Sequence, residues 1–241
     1  MICVVPWNGF TLPVWLLEMH SGLVISHGPT SEPEISLSFD DGPDPTYTPR
    51  ILNILKQYGV KATFFEQGRM IRLYPQLSRR VITEGHVLGN HTETHPYIER
   101  LSRSGVRSEI DGCDEALLSY VGVRTYLFRP PRGAWNPTIF HDAKMRQDHI
   151  VLWSVALEHA DTPLPDEMAA RVLRLVRPGA IVLMHDGART SRESTVEALP
   201  MLLDGLKARG YRIVTIPELL NIPGNDLVPN PRANIRPAQI R

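Results

Sequence analysis

Ile35-Ser36-Leu37-Ser38-Phe39-Asp40-Asp41-Gly42-Pro43 is a short apolar run that ends on two adjacent carboxylates and a Gly-Pro turn. Like charges side by side repel and raise one of the two pKa values, so stability alone is a poor reason to finish a strand this way. A site that needs one metal ligand and one general base accounts for the pair better. Fifty residues on stands His91-Thr92-Glu93-Thr94-His95. The His-x-x-x-His spacing puts two imidazoles on neighbouring turns of a helix, or at the ends of a short loop, close enough to share one divalent ion. Two His and one carboxylate leave positions open for water, the pattern of a catalytic site. The plain alternatives, a helix N-cap for one Asp and solvated histidines for the pair, weaken when both clusters occur together.

Outward from this stretch, β-branched or aromatic runs alternate with amphipathic ones, in about seven repeats of the unit. That order argues for a parallel sheet. Strands are expected over 35–41, 62–66, 86–90, 126–129, 150–156, 180–184 and 211–216. Helices are expected over 47–58, 74–84, 103–121, 137–145, 166–176 and 195–209, with Gly59 and Gly85 after the first two. Pro130 and Pro131 end the fourth strand sharply, and the run around Trp153 is apolar enough to be covered on both faces. Asp40, Asp41, His91, Arg129 and His185 then fall at or just past the carboxyl ends of four strands, where barrels of this kind build chemistry.

The chain has 241 residues, within the span of a single α/β barrel, and 26 basic residues cancel 26 acidic ones. Charge therefore suggests no nucleic-acid or membrane partner. Cys3 and Cys113 are too few and too far apart for a disulfide framework or a cysteine zinc site. The first seventeen residues lack a basic start and are broken by Pro6 and Pro13, so the chain reads as cytoplasmic rather than secreted or membrane-spanning. Residues 222–241 carry four prolines and few large apolar side chains. The expected division is an N-terminal extension over 1–33, a catalytic domain over 34–220 and a poorly ordered tail over 221–241.

Ser38-Phe39-Asp40-Asp41-Gly42-Pro43, His91-Thr92-Glu93-Thr94-His95, Arg129-Pro130-Pro131-Arg132-Gly133 and Ile181-Val182-Leu183-Met184-His185-Asp186 occur here in one order. Together they resemble the polysaccharide deacetylases, the NodB-homology domain of carbohydrate esterase family 4. The resemblance implies a distorted, incomplete (β/α)7 barrel related to the TIM barrel, in a single domain. It also implies metal-dependent removal of acetyl groups from N-acetylamino sugars. By position, Asp41, His91 and His95 would hold the metal, usually Zn2+, with Co2+, Ni2+ or Fe2+ as other candidates. Asp40 would be the general base, Arg129 would orient it through a charge-assisted hydrogen bond, and His185 would be the general acid. Pro130, Pro131, Arg132, Gly133, Trp153 and Leu183 would contact substrate, a backbone N–H near Arg132 would stabilise the oxyanion, and Leu183 would line the acetyl slot.

One motif departs from the family's pattern. The stretch Trp153-Ser154-Val155-Ala156-Leu157-Glu158-His159-Ala160-Asp161 has Ala156 where the family supplies an Asp that holds the catalytic His. Glu158 or Asp161 is left as the replacement; without one, the imidazole would have a lower pKa and looser orientation. Ala160 lies near the place of an expected Trp, and Arg132 stands where an aromatic residue is common, which adds positive charge at the rim. A small-molecule or oligosaccharide substrate, with an anionic or bulky group beside the amide, fits these changes. The competing expectations are hydrolysis of a non-sugar linear or cyclic amide on the same fold, and a catalytically impaired metal or carbohydrate binder.

Overall fold

The computed structural model describes residues 4–7, 10–13, 22–160, 164–187 and 191–228. An antiparallel hairpin, β1 (Val4–Trp7) with β2 (Phe10–Pro13), stands apart from the main sheet. That sheet starts with β3 (Val24–Ile25) and β4 (Glu34–Asp40), the latter followed by α1 (Thr48–Tyr58). Next come β5 (Thr63–Glu66) with α2 (Gly68–Leu73) and α3 (Pro75–Thr83), then β6 (Val87–Asn90) with α4 (Arg103–Ala116). A π-helical turn, Leu117–Val121, extends α4 until Gly122 closes it in the left-handed region, φ 82°. β7 (Val123–Arg124) precedes β8 (Leu127–Phe128), α5 (Pro137–Arg146), β9 (His149–Val151), β10 (Val155–Ala156) and α6 (Pro165–Leu175). β11 (Ile181–His185), α7 (Glu193–Ala208), β12 (Arg212–Val214), α8 (Ile216–Leu220) and β13 (Asp226–Leu227) complete the described chain.

The strands run in the order β10-β11-β4-β5-β6-β8-β9-β3, every neighbour parallel, and β12 pairs with the start of β4. The sheet is curled. Residues expected as one strand over 150–156 are two: β9 pairs with β8 and β3, whereas β10 pairs with β11. Between them Ser154 N donates to Ile181 O at 3.0 Å and Ile181 N donates to Ser154 Oγ at 3.1 Å. This crossing brings one flank of the sheet back to β11, while β3 and the His27–Ala180 bridge span the rest of the opening. The result is an incomplete barrel, and Val24–Ile25, inside the stretch expected as an extension, form one of its strands. Beyond residue 220, β13 pairs with β7.

Two smaller departures have local causes. Thr215 leaves the expected strand because it caps α8: its Oγ1 accepts from Glu218 N and Glu218 Oε2 accepts from Thr215 N at 2.8 Å. α2, six residues long, is too short for helical periodicity to announce it.

The two-residue period of β4 separates the core from the site. Ile35, Leu37 and Phe39 pack outward against Ile51, Leu52 and Leu55 of α1 and Leu199, Leu202 and Leu203 of α7. Ser36, Ser38 and Asp40 therefore face the barrel interior. That interior is filled by Phe65, Leu127, Val151, Ile181 and Val214, one from each of five other strands. Each buried aliphatic side chain contributes about 1.5–3 kcal/mol, so the two layers fix which face of each strand looks inward. No described helix is long and apolar enough to cross a membrane.

Candidate active site

Asp40 ends β4, and its backbone O accepts from Asp186 N at 3.1 Å and Gly187 N at 3.3 Å. These bonds join the first motif to the last at the mouth of the barrel. Asp41 then turns with φ 75°, in the left-handed region that Asp tolerates better than most residues. Neither glycine nearby can grow a side chain. A Cβ on Gly42 would lie 2.5 Å from the Asp186 carboxylate, and one on Gly187 would lie 2.3 Å from Asp41 O.

The neighbouring carboxylates have separate environments. Asp40 Oδ1 accepts from Arg129 Nη1 at 2.6 Å, and both side chains are buried. Arg129 also donates from Nη1 to Ser38 Oγ at 2.9 Å, from Nε to Val151 O at 3.0 Å and from Nη2 to Leu152 O at 3.1 Å. Its guanidinium lies 4.0 Å from the centre of the Phe65 ring. Burial pulls the Arg129 pKa down against the opposing pull of Asp40. Asp41 faces the imidazoles instead: Oδ1 is 3.4 Å from His95 Nε2 and 3.8 Å from His91 Nε2. Burial opposes ionisation of Asp41, but His91, His95, His185 and a hydrogen bond from Gln67 together hold its pKa below the usual value.

His91 and His95 occupy a loop, not a helix. Thr92 N donates to Asn90 Oδ1 at 2.8 Å and His95 N to Thr92 Oγ1 at 3.0 Å. Glu109 O accepts from Glu93 N at 2.8 Å, and the Glu109 carboxylate takes both Thr94 N and Thr94 Oγ1 at 2.8 Å. The ring centres are 5.0 Å apart. Asp41, His91 and His95 offer ligand atoms that all lie within 4.8 Å of one another. His91 Nδ1 is 2.7 Å from Arg129 O. A carbonyl only accepts, so Nδ1 carries the proton and Nε2 presents its lone pair, the tautomer a divalent ion needs. Two imidazoles and a carboxylate, all buried, suit such an ion and leave further positions open.

His185 ends β11, its Nδ1 3.3 Å from Glu158 Oε2. Glu158 Oε1 accepts from His185 N at 3.0 Å and from Thr195 Oγ1 at 2.8 Å. Burial works against the His185 imidazolium, but Glu158 and then Asp40 outweigh it and raise its pKa. The carboxylate missing at Ala156 is thus supplied by Glu158; Asp161 lies outside the described residues.

In the third motif, Pro131–Gly133 form a short turn in which Arg132 has φ 61°. The Arg132 guanidinium stacks 3.9 Å from the centre of the Tyr97 ring, donates to Pro96 O and comes within 3.3 Å of His95 Nδ1. Since a guanidinium only donates, freeing His95 Nε2 for an ion requires that last contact to open. Trp153 packs over Gly133, where an added Cβ would be 2.9 Å from its ring, and Leu183 is buried beside Ser38 and Ala156 in register.

Two residues at the site gave no motif signal. Gln67 Nε2 donates to Asp41 Oδ1 at 2.7 Å, and only its place just past β5 hints at this. Arg192 donates from Nε to Gly187 O at 2.9 Å and holds Nη2 3.8 Å from Asp41 Oδ2.

Comparison with known proteins agrees with the geometry. The family model described as polysaccharide deacetylase matches residues 27–147. A peptidoglycan-N-acetylglucosamine deacetylase of Bacillus cereus is 40% identical over 202 residues, 83% of this chain and 94% of the relative. The chain belongs to the polysaccharide deacetylase family. A chitooligosaccharide deacetylase of Bradyrhizobium is another relative, 36% identical over 77% of this chain and 90% of its own length. Among solved structures, the Bc1960 peptidoglycan N-acetylglucosamine deacetylase superposes with a TM-score of 0.82 at 33% identity, covering 87% of this chain and 97% of the other. The curled, incomplete barrel is the fold of these carbohydrate-esterase relatives.

Proposed function

We propose that the protein is a metal-dependent hydrolase that removes the acetyl group from a 2-acetamido sugar. The observation that carries this reading is the division of labour between adjacent carboxylates: Asp40 is tied to Arg129 and Asp41 faces two imidazoles. The names of the relatives, a peptidoglycan-N-acetylglucosamine deacetylase and a chitooligosaccharide deacetylase, share that sugar class. Asp41, His91 and His95 would hold the ion, with zinc the first candidate for two nitrogens and one oxygen. When bound, a divalent ion lowers the pKa of its water and polarises the acyl oxygen.

The chain's own groups then move two protons. Asp40, with Oδ1 held by Arg129, has Oδ2 on the side of His91, 3.7 Å from Nε2, where it takes the proton of the attacking water. The C–N bond breaks only if the nitrogen leaves as an amine. His185 supplies that proton from Nε2, because Nδ1 faces Glu158, which favours the charged ring. The Arg132 backbone N–H would meet the developing oxyanion.

The test is release of acetate from N-acetylglucosamine oligomers and from peptidoglycan fragments, with mass spectrometry for the loss of one acetyl group per sugar. Asp40→Asn should abolish release and leave one divalent ion bound. Metal binding without acetate from any acetylated sugar, unchanged by Asp40→Asn, would leave the chain a binder and not an enzyme.

A further inference from the structure

Away from the barrel mouth, a cavity of about 450 Å3 opens between the π-helical turn, β7 and the end of α5. Its size is that of a small-molecule site. Leu117, Leu118, Val123 and Val228 give it apolar walls. One polar side chain in the lining stands out. Asp148 is 7% exposed, and among the described residues its carboxylate has no hydrogen bond and no ion pair.

The arginines of the lining, Arg146 and Arg124, draw the Asp148 pKa down, but by less than burial and Asp114 raise it. Arg146 is spent on Asp111 at 2.6 Å, Asp142 at 2.9 Å and Asp114 at 3.4 Å. Arg124 is exposed, its guanidinium 4.9 Å from the centre of the Tyr126 ring. Asp114, in the same lining, adds a second negative charge. Burial, followed by the repulsion of Asp114, accordingly pushes the Asp148 pKa up to about 7. Among the described residues no side-chain cation pairs with Asp148, which leaves that place to a cation with an apolar body. A bare metal ion would meet one free carboxylate among hydrocarbon walls, too few ligands to hold it. An anion would face Asp148 and Asp114, with Arg146 already paired to three carboxylates and Arg124 exposed at the rim.

We propose that this cavity is a second binding site, which takes a small primary amine carried on an apolar group. The ammonium donates to Asp148, and the hydrocarbon covers Leu117, Leu118, Val123 and Val228. The site is not isolated from the barrel mouth. Asp114 Oδ1 accepts from Asn90 Nδ2 at 2.7 Å, and Asn90 in turn holds Thr92 N in the loop that carries His91 and His95.

Calorimetric titration of the full, metal-loaded chain at pH 8 tests this with three probes of one shape: 2-phenylethylamine, 2-phenylethanol and 3-phenylpropanoate. One equivalent of amine should bind, at least tenfold tighter than the alcohol or the acid. Asp148→Asn should weaken the amine at least tenfold. Leu118→Arg, at a side chain 45% exposed, should block the cavity without disturbing the core, and circular dichroism would verify its fold. Equal binding of amine and alcohol, or amine binding indifferent to both substitutions, would overturn the proposal. So would binding seen only after deletion of residues 229–241, which would give the cavity to the chain's own arginine-bearing end.

Discussion

Replacing Arg129 by Met probes the part of the site that the fold cannot do without. Met keeps most of the volume and removes the cation, so Asp40, itself 3% exposed, is left charged and unpaired inside the barrel. Ser38 Oγ, Val151 O and Leu152 O lose donors at 2.9–3.1 Å at the same time. Breaking a buried pair by removing one partner costs about 3–5 kcal/mol. For a chain of this size each kcal/mol moves the midpoint by about 2–4 °C, so Arg129→Met should lower Tm by roughly 6–20 °C. The measurement is urea and thermal unfolding in the presence of a chelator, where no ion can compensate Asp40. The double variant Asp40→Asn, Arg129→Met should then recover at least about 1 kcal/mol, because the uncompensated charge is gone. A loss below about 1 kcal/mol in Arg129→Met, or a double variant as unstable as the two single losses added together, would refute the reasoning.

Glu158→Gln removes the charge that raises the His185 pKa, and in the proposed mechanism the proton on His185 is the one the leaving amine takes. The alkaline limb of kcat, which falls as pH rises through that pKa, should move to lower pH, with kcat down about 10–100-fold; an unmoved limb would separate Glu158 from the acid. Gly187→Ala should weaken metal binding by at least about tenfold, read by competition with a chromophoric chelator, because its Cβ would come within 2.4 Å of Asp41 Cβ. Addition of Zn2+ at 100 times its Kd should stabilise the chelator-stripped protein by about 2.7 kcal/mol, and His95→Ala should erase that gain. Arg132→Ala should reduce kcat/KM for an acetamido sugar that bears a carboxylate and spare a neutral one; equal effects on both would remove Arg132 from substrate choice.

How much of this was legible depends on the distance over which each residue acts. The paired carboxylates, the His-x-x-x-His loop, Arg129 and His185 lie at strand ends, and strand ends can be read from apolar runs. The barrel closure could not be read that way. Its key step, Ser154 exchanging bonds with Ile181, joins residues 27 positions apart within an apolar stretch that looks like one strand. β3 was hidden for a similar reason, since two residues in a Pro- and Ser-rich segment carry no period. Gln67 and Arg192 reach Asp41 from loops whose composition is silent.

Glu158 shows where the pattern of a motif and the physics of a site part. At Ala156 a carboxylate partner for His185 is absent, and counting along the strand predicts a weakened acid. The demand on that partner is a position in space and a negative charge. A longer side chain two residues further on meets both, provided something holds it. Glu158 Oε1 is held by the backbone N–H of His185 itself and by Thr195 at the first turns of α7. The imidazole and its counter-charge are thus fixed to the same residue, so a small shift of β11 moves them together. A Thr195→Val substitution should therefore loosen Glu158, lower the His185 pKa in the same direction as Glu158→Gln and do so by a smaller amount, because the His185 N–H remains as an anchor. NMR titration of the His185 ring in the two variants compares those shifts, and a larger shift in Thr195→Val than in Glu158→Gln would show that the charge of Glu158 is not what sets the acid.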